Sequence, residues 1–186
     1  MPTVPTATCG VLETSSSAVW AGIHGADQLA QIATASSCFV GKPNYKSYWE
    51  VIPFNTTAQP INKKVAPGDK MVATVAYVSN NNTFNLTLVD SGKWTFTTPS
   101  RASADPSERT NGECVVEAPT VVIGKISFIL PLTNFGTVSL DCQVDGKPVA
   151  NGPENIKFVM ISNVPKAVTN PLETNGEVFT VVWQHS

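Results

Sequence analysis

Apolar positions along this chain recur in short β-type runs rather than with the period of a helix. Met71-Val72-Ala73-Thr74-Val75-Ala76-Tyr77-Val78 is rich in apolar and β-branched residues, as a buried strand is. Asn80-Asn81-Asn82 follows, a turn cluster whose side chains tolerate left-handed backbone. Over residues 83–89 the chain alternates, with Phe84, Leu86 and Leu88 on one face and Asn85 and Thr87 on the other. Asp90-Ser91-Gly92 turns the chain again, and Trp94 and Phe96 resume the alternation, which predicts a hairpin. Residues 125–130, 136–144, 156–162 and 178–183 read as further strands. The turns between them are Asp145-Gly146-Lys147-Pro148, Asn151-Gly152-Pro153 and Thr174-Asn175-Gly176. Residues 26–34 alone have a helix-like pattern, and they are too few to form a helix of ordinary length. Turn signals at this spacing predict an all-β antiparallel sandwich.

No repeat or linker divides the 186 residues, so they are expected to form one domain, 1–186. Its first 17 residues read as an irregular segment. The polar stretch 98–112, with Arg101, Asp105, Glu108 and Arg109, reads as one long loop of the kind that is often functional.

Composition narrows the class. Hydrophobic residues make up 42% of the chain and charged residues 14%, so Ser, Thr and Asn must cover much of the surface. That balance excludes a disordered chain and suits a secreted β protein. The formal net charge is -2 with no basic stripe, which argues against a nucleic-acid partner. No apolar run reaches the roughly 20 residues of a membrane helix. The opening Met1-Pro2-Thr3-Val4-Pro5 shows no signal-peptide core, so a secreted form would begin after its signal. Sequons at Asn55, Asn81 and Asn85 are compatible with secretion.

Cys9, Cys38, Cys114 and Cys142 form no Cys-x-x-Cys pair, and His24 and His185 lie far apart, so no zinc site is expected. Two disulfides or four buried thiols are both open, and four cysteines allow three pairings. No nucleophile, His and carboxylate set appears, nor an Asp-Thr/Ser-Gly motif, which disfavours serine, cysteine and paired-aspartate peptidases.

Four clusters are more specific than a generic sandwich needs. They are Trp20-Ala21-Gly22-Ile23-His24-Gly25 with Gln31 beyond it, Tyr48-Trp49-Glu50-Val51-Ile52-Pro53, Thr110-Asn111-Gly112-Glu113-Cys114-Val115-Val116-Glu117, and Asn134-Phe135-Gly136-Thr137-Val138. In this order they resemble the glutamic peptidases, the eqolisin family of fungal acid proteases. That family carries Trp-Val-Gly-Ile-Asp-Gly, Gln-Thr-Gly, Trp-Tyr-Glu-Trp-Tyr-Pro, Asn-Ala-Glu-Trp-Ile-Val-Glu and Asn-Phe-Gly-Thr-Val. The likeness extends to Phe158-Val159-Met160-Ile161-Ser162-Asn163 and to the run from Gly176 to Trp183, and so covers roughly residues 18–184.

The resemblance implies a sandwich of jelly-roll or concanavalin-like type, with two curved, seven-stranded antiparallel sheets, one of them with a concave substrate groove. It also implies an acid-acting, pepstatin-insensitive endopeptidase that works on protein and peptide substrates, as a secreted monomer without a cofactor. By position Glu113 matches the catalytic glutamate and Gln31 the catalytic glutamine. Glu50 matches the carboxylate of the aromatic motif and supports the pair, while Trp20, His24, Tyr48 and Trp49 line the groove. The residue types suit the reaction. A carboxylate can take a proton from water and return one to the leaving amine. A glutamine amide can donate to the oxyanion at any pH.

The sequence departs from the family at His24, which stands where the family has Asp. It also departs at Ile32-Ala33 after Gln31, and at Cys114, which replaces a Trp. The family's opening Asn-Trp-Ala-Gly segment has no counterpart. Twelve Lys and Arg against 14 Asp and Glu point to a working range of about pH 4 to 6 rather than about 2 to 3. Two other readings remain open. One is a non-catalytic binding module of the same fold with a peptide or glycan groove, and the other is a structural surface protein.

Overall fold

The structure is a computed structural model that describes residues 3–55, 57–148, 160–161, 165–170 and 178–186. Nine strands run through the first two thirds of the chain: β1 (Ser15–His24), β2 (Leu29–Phe39), β3 (Lys42–Ile52), β4 (Gln59–Ile61), β5 (Met71–Val78), β6 (Thr83–Asp90), β7 (Trp94–Arg101), β8 (Asn111–Glu117) and β9 (Thr120–Ile123). They continue with β10 (Ile126–Ile129), β11 (Thr137–Asp141), β12 (Gln143–Val144), β13 (Lys147–Pro148), β14 (Met160–Ile161), β15 (Pro165–Thr169) and β16 (Val178–Trp183). The helical element among the described residues is one 3-10 turn, Pro106–Arg109, capped by the Asp105 side chain on Ser107 N–H. Every strand pair within the sheets is antiparallel.

One layer is a five-stranded sheet in the order β4-β3-β2-β1-β8. The other layer is built from β5-β6-β7 and from β11-β16-β15-β14. Both pack on the same face of the first layer. Ala30, Ile32 and Val51 of the five-stranded sheet meet Phe84, Leu86 and Leu88 of β6 in one core. Val19, Cys114 and Val116 meet Val138, Leu140 and Val181 in a second. The alternation over 83–89 explains the first core, because Phe84 and Leu86 are 0% exposed while Asn85, one position on, is exposed.

Several sequence expectations change at the boundaries. The N-terminal irregular segment ends before Ser15, where β1 begins, rather than at residue 17. Residues 26–34 are not helical: β2 starts at Leu29, and Ala30, Gln31, Ile32, Ala33 and Thr34 are all buried. A strand covered on both faces loses its period-2 signal, which explains the helix-like pattern. The loop expected over 98–112 shrinks, since β7 runs to Arg101 and β8 starts at Asn111. The predicted strand 136–144 divides into β11 and β12, and the 125–130 strand is β10, paired with β9. The turns around 151–153 and 174–176 lie outside the described residues, as do most of the 156–162 strand and the Phe158–Asn163 motif.

All four cysteines are paired, Cys9 with Cys38 and Cys114 with Cys142. The second bond explains the departure at Cys114. A side chain that points into the core between layers is exchanged there for a covalent tie from β8 to the segment after β11. No helix among the described residues is long and apolar enough to cross a membrane.

Candidate active site

The five-stranded sheet has a second face, turned away from the core, and strand register places the candidate residues on it. Gln31 pairs with Glu50 across β2 and β3, Gly22 with Gln31 across β1 and β2, and Gly22 with Glu113 across β1 and β8. Partners in register put their side chains on the same face. Glu50, Gln31, Gly22 and Glu113 therefore form one row across four strands. Strands lie about 4.8 Å apart, so Gln31 and Glu113, two strands apart, have backbones separated by about 10 Å. Between them on β1 is a glycine, so no side chain of the row itself stands between the two.

Gly22 is required there on steric grounds. A Cβ at this position would lie 2.9 Å from the Ala30 carbonyl oxygen, 2.9 Å from Trp20 Cζ3 and 3.3 Å from Leu29 Cδ1. Trp20 occupies the next row, in register with Ala33 and Val115, and Tyr48 pairs with Ala33. Ala18, Trp20 and Ala33 pack with Leu29, Tyr48 and Val115 into a small apolar cluster beside the row. Tyr48 and Trp20 are thus on the face where the aromatic motifs are expected. Trp49 is not. It pairs with Ile32 and packs against the inter-layer core, so the groove assignment for Trp49 is corrected. The reason is the period of a strand: neighbours in sequence point to opposite faces, and Glu50 and Trp49 cannot share one.

The polar groups of the row are ordered by one another. Gln31 is 7% exposed, and its Nε2 donates to Glu50 Oε2 at 3.1 Å. This leaves the second amide hydrogen and Oε1, which is buried and makes no hydrogen bond among the described residues. His24, one position along the same face, brings Nε2 to 3.8 Å from Glu113 Oε1. Burial raises Glu113 above the ordinary carboxylate range, and the nearby imidazole of His24 opposes that rise. Burial likewise raises Glu50, offset in part by the Gln31 amide.

Glu117 was quoted in its motif but given no role. It lies on the same face because it is four residues from Glu113, an even number along a strand. Burial raises its pKa, the Trp20 indole N–H lowers it, and the charges of Glu113 and Glu50 add to the rise. The indole N–H is directed at this carboxylate without closing a hydrogen bond of normal geometry. Tyr48 is also pushed up, by burial and then by Glu117 and Glu50. The face thus holds three carboxylates that all favour protonation more than they would in water. A cavity of about 1020 Å³ runs between β5 and β1 to the Val144-Asp145-Gly146 turn, lined in part by Trp20, Gly22 and Glu113 but not by Gln31, Glu50 or Tyr48.

The 3-10 turn braces this end of the sheet. Glu108 Oε2 accepts from Asp27 N–H at 2.7 Å and Gln28 N–H at 2.9 Å, and Thr110 N–H donates to the His24 carbonyl at 3.1 Å. A Cβ on Gly25 would fall 2.1 Å from Glu108 Cα, so the turn seats directly on the β1–β2 connection. Sequence alone offered no sign of this contact, since Glu108 is 80 residues from Gln28. Among the described residues no group of three or more His, Cys, Asp or Glu is placed to hold a metal ion.

Chemically, the row offers a half-buried carboxylate and an oriented amide donor on either side of a glycine. A sequence comparison with curated proteins finds no match. The fold is similar to that in the crystal structure of aspergilloglutamic peptidase from Aspergillus niger, with TM-score 0.71 and 18% sequence identity, covering 91% of this chain and 99% of that one. The model of the Peptidase A4 family matches residues 1–182, nearly the whole chain. The chain belongs to the Peptidase A4 family, the glutamic peptidases, and is a β-sandwich peptidase.

Proposed function

We propose that residues 1–186 form one secreted endopeptidase domain that cleaves proteins at acid pH, with Glu113 activating the attacking water and Gln31 holding the oxyanion. The observation that carries this reading is the register row in which Gly22 alone separates the two side chains. In the ionised state Glu113 takes a proton from water as the water oxygen bonds the carbonyl carbon. It then gives that proton to the leaving nitrogen as the C–N bond breaks. Burial, by raising Glu113, brings the carboxyl nearer to the working pH of such a reaction.

Gln31 donates the amide hydrogen that Glu50 does not use. Because Glu50 accepts the other one, it fixes how the amide is turned. Removing one oxyanion donor of this kind costs about 2.7–4 kcal/mol of transition-state stabilisation. Trp20 and Tyr48 supply an apolar wall for substrate side chains, and Glu50 is a positioning residue. Two disulfides suit an oxidising, extracellular setting. The mechanism uses no cofactor and gives pepstatin no aspartate pair to engage.

The test is digestion of an unfolded protein from pH 2 to 7, with and without pepstatin, by the wild-type chain, Glu113→Gln and Glu50→Gln. Pepstatin-resistant acid cleavage that is lost in Glu113→Gln and weakened in Glu50→Gln is expected. Folded wild-type protein that cuts nothing at any of these pH values would overturn the reading and favour a non-catalytic peptide- or glycan-binding groove.

A further inference from the structure

His24 lies on the same sheet face as Glu113, within reach of its carboxylate. The residue directly across β8 from His24 is Asn111, so Glu113 is its diagonal neighbour, at a distance long side chains span. The imidazole Nδ1 lies 3.2 Å from the Gly25 carbonyl oxygen, which can only accept. Nδ1 therefore carries the hydrogen, and Nε2 is the nitrogen free to gain or lose a proton while facing Glu113 Oε1 at 3.8 Å. The side chains are 36% and 32% exposed, so the pair is open to a substrate and only partly shielded from water.

The backbone that carries the imidazole is also held in place. Thr110 N–H bonds the His24 carbonyl, and the 3-10 turn is locked to the β1–β2 connection through Glu108. We propose that His24 is a positioning residue whose imidazolium pairs with Glu113 and favours its carboxylate form, beside Gly22, under acid conditions. This rests on Glu113 being the group that activates water.

The titratable surroundings support the assignment. Glu50 and Tyr48 from β3 and Glu117 from β8 share the face, and all three are anionic or neutral. Asp27 on the β1–β2 connection and Glu108 on the 3-10 turn are acidic. Asp141 and Asp145 line the cavity that reaches Glu113, as does Arg109. Arg109 is committed elsewhere, to the Ser103 and Asp105 carbonyls and the Tyr77 ring. Against this anionic field, burial favours the protonated form of Glu113. The His24 charge is the one that opposes burial. In the reaction His24 keeps its own proton on Nε2. The proton that moves is the water's, first to Glu113 and then to the leaving amine.

The experiment follows Glu113 itself. The wild-type chain, His24→Gln and His24→Asp are labelled with carbon-13 at glutamate side-chain carboxyls, and the Glu113 signal is assigned by its loss in Glu113→Gln. Its titration is recorded alongside kcat/KM against pH for a peptide substrate. Glu113 is expected to titrate at higher pH in His24→Gln and higher still in His24→Asp. The acid limb of kcat/KM should move with it, which gives about a ten-fold lower rate on that limb. Unchanged Glu113 titration in whichever variant folds would overturn the proposal, even if the wild type cleaves peptides. A shifted titration without cleavage by any form would uphold the pairing and sink the peptidase reading instead.

Discussion

Gly22→Ala tests the geometry of the site most directly, because it adds one methyl group at the position on which the row depends. The new Cβ would lie 2.9 Å from the Ala30 carbonyl oxygen and 2.9 Å from Trp20 Cζ3. Real carbon contacts at those atoms require roughly 0.5 Å more. The Ala30 oxygen belongs to the β1–β2 ladder and cannot rotate away, and Trp20 is 7% exposed and wedged against Ala33 and Tyr48. Backbone must therefore yield, and overpacking of this kind costs about 2 kcal/mol. With a urea m-value of about 2 kcal/mol/M, the unfolding midpoint should fall by about 1 M. Since β1 lies between β2 and β8, the same shift should separate Gln31 from Glu113 by part of an ångström. That reduces kcat/KM by about ten-fold or more, given that a 1 Å misplacement can cost about a hundred-fold. Urea unfolding followed by tryptophan fluorescence and peptide cleavage by the same preparation give both numbers. A Gly22→Ala variant with the wild-type midpoint and full kcat/KM would refute the row as the organising feature of the site.

Two further outcomes follow from the structure. Each disulfide closes a stretch of 29 or 28 residues, so Cys9→Ser/Cys38→Ser and Cys114→Ser/Cys142→Ser should each lower unfolding free energy by about 3.5 kcal/mol, measured in urea. Burial raises Glu50, Glu113 and Glu117 above the ordinary carboxylate range, so the folded state binds more protons than the unfolded one just above that range. Their contribution is fully present below about pH 4.3 and is lost as pH rises through the raised values. The melting temperature should accordingly fall as pH rises from about 4 toward 7, and less steeply in Glu117→Gln, because Glu117 would otherwise be charged beside Glu113 and Glu50.

Local chemistry in the sequence determined much of this protein. Alternation over 83–89 named the buried set Phe84, Leu86 and Leu88, because a strand's period is two and one face is covered. The ordered motifs around Gln31, Glu50 and Glu113 named residues that the fold brings to one row of one face. Tertiary structure decided what a linear pattern does not carry. Gly22 is one more glycine until β2 and β8 flank β1 and set it in register between Gln31 and Glu113. Trp49 and Glu50 are neighbours in one motif, yet the pleat sends them to opposite sides of the sheet. Pairing among Cys9, Cys38, Cys114 and Cys142 was one of three possibilities until the fold brought two pairs together. The contact of Glu108 with Asp27 and Gln28 joins segments some 80 residues apart, and that contact steadies His24. Residue types and their order are local properties, and sequence records them. Register, the facing of side chains and contacts between distant segments arise only when the strands assemble, and that assembly set the site's geometry.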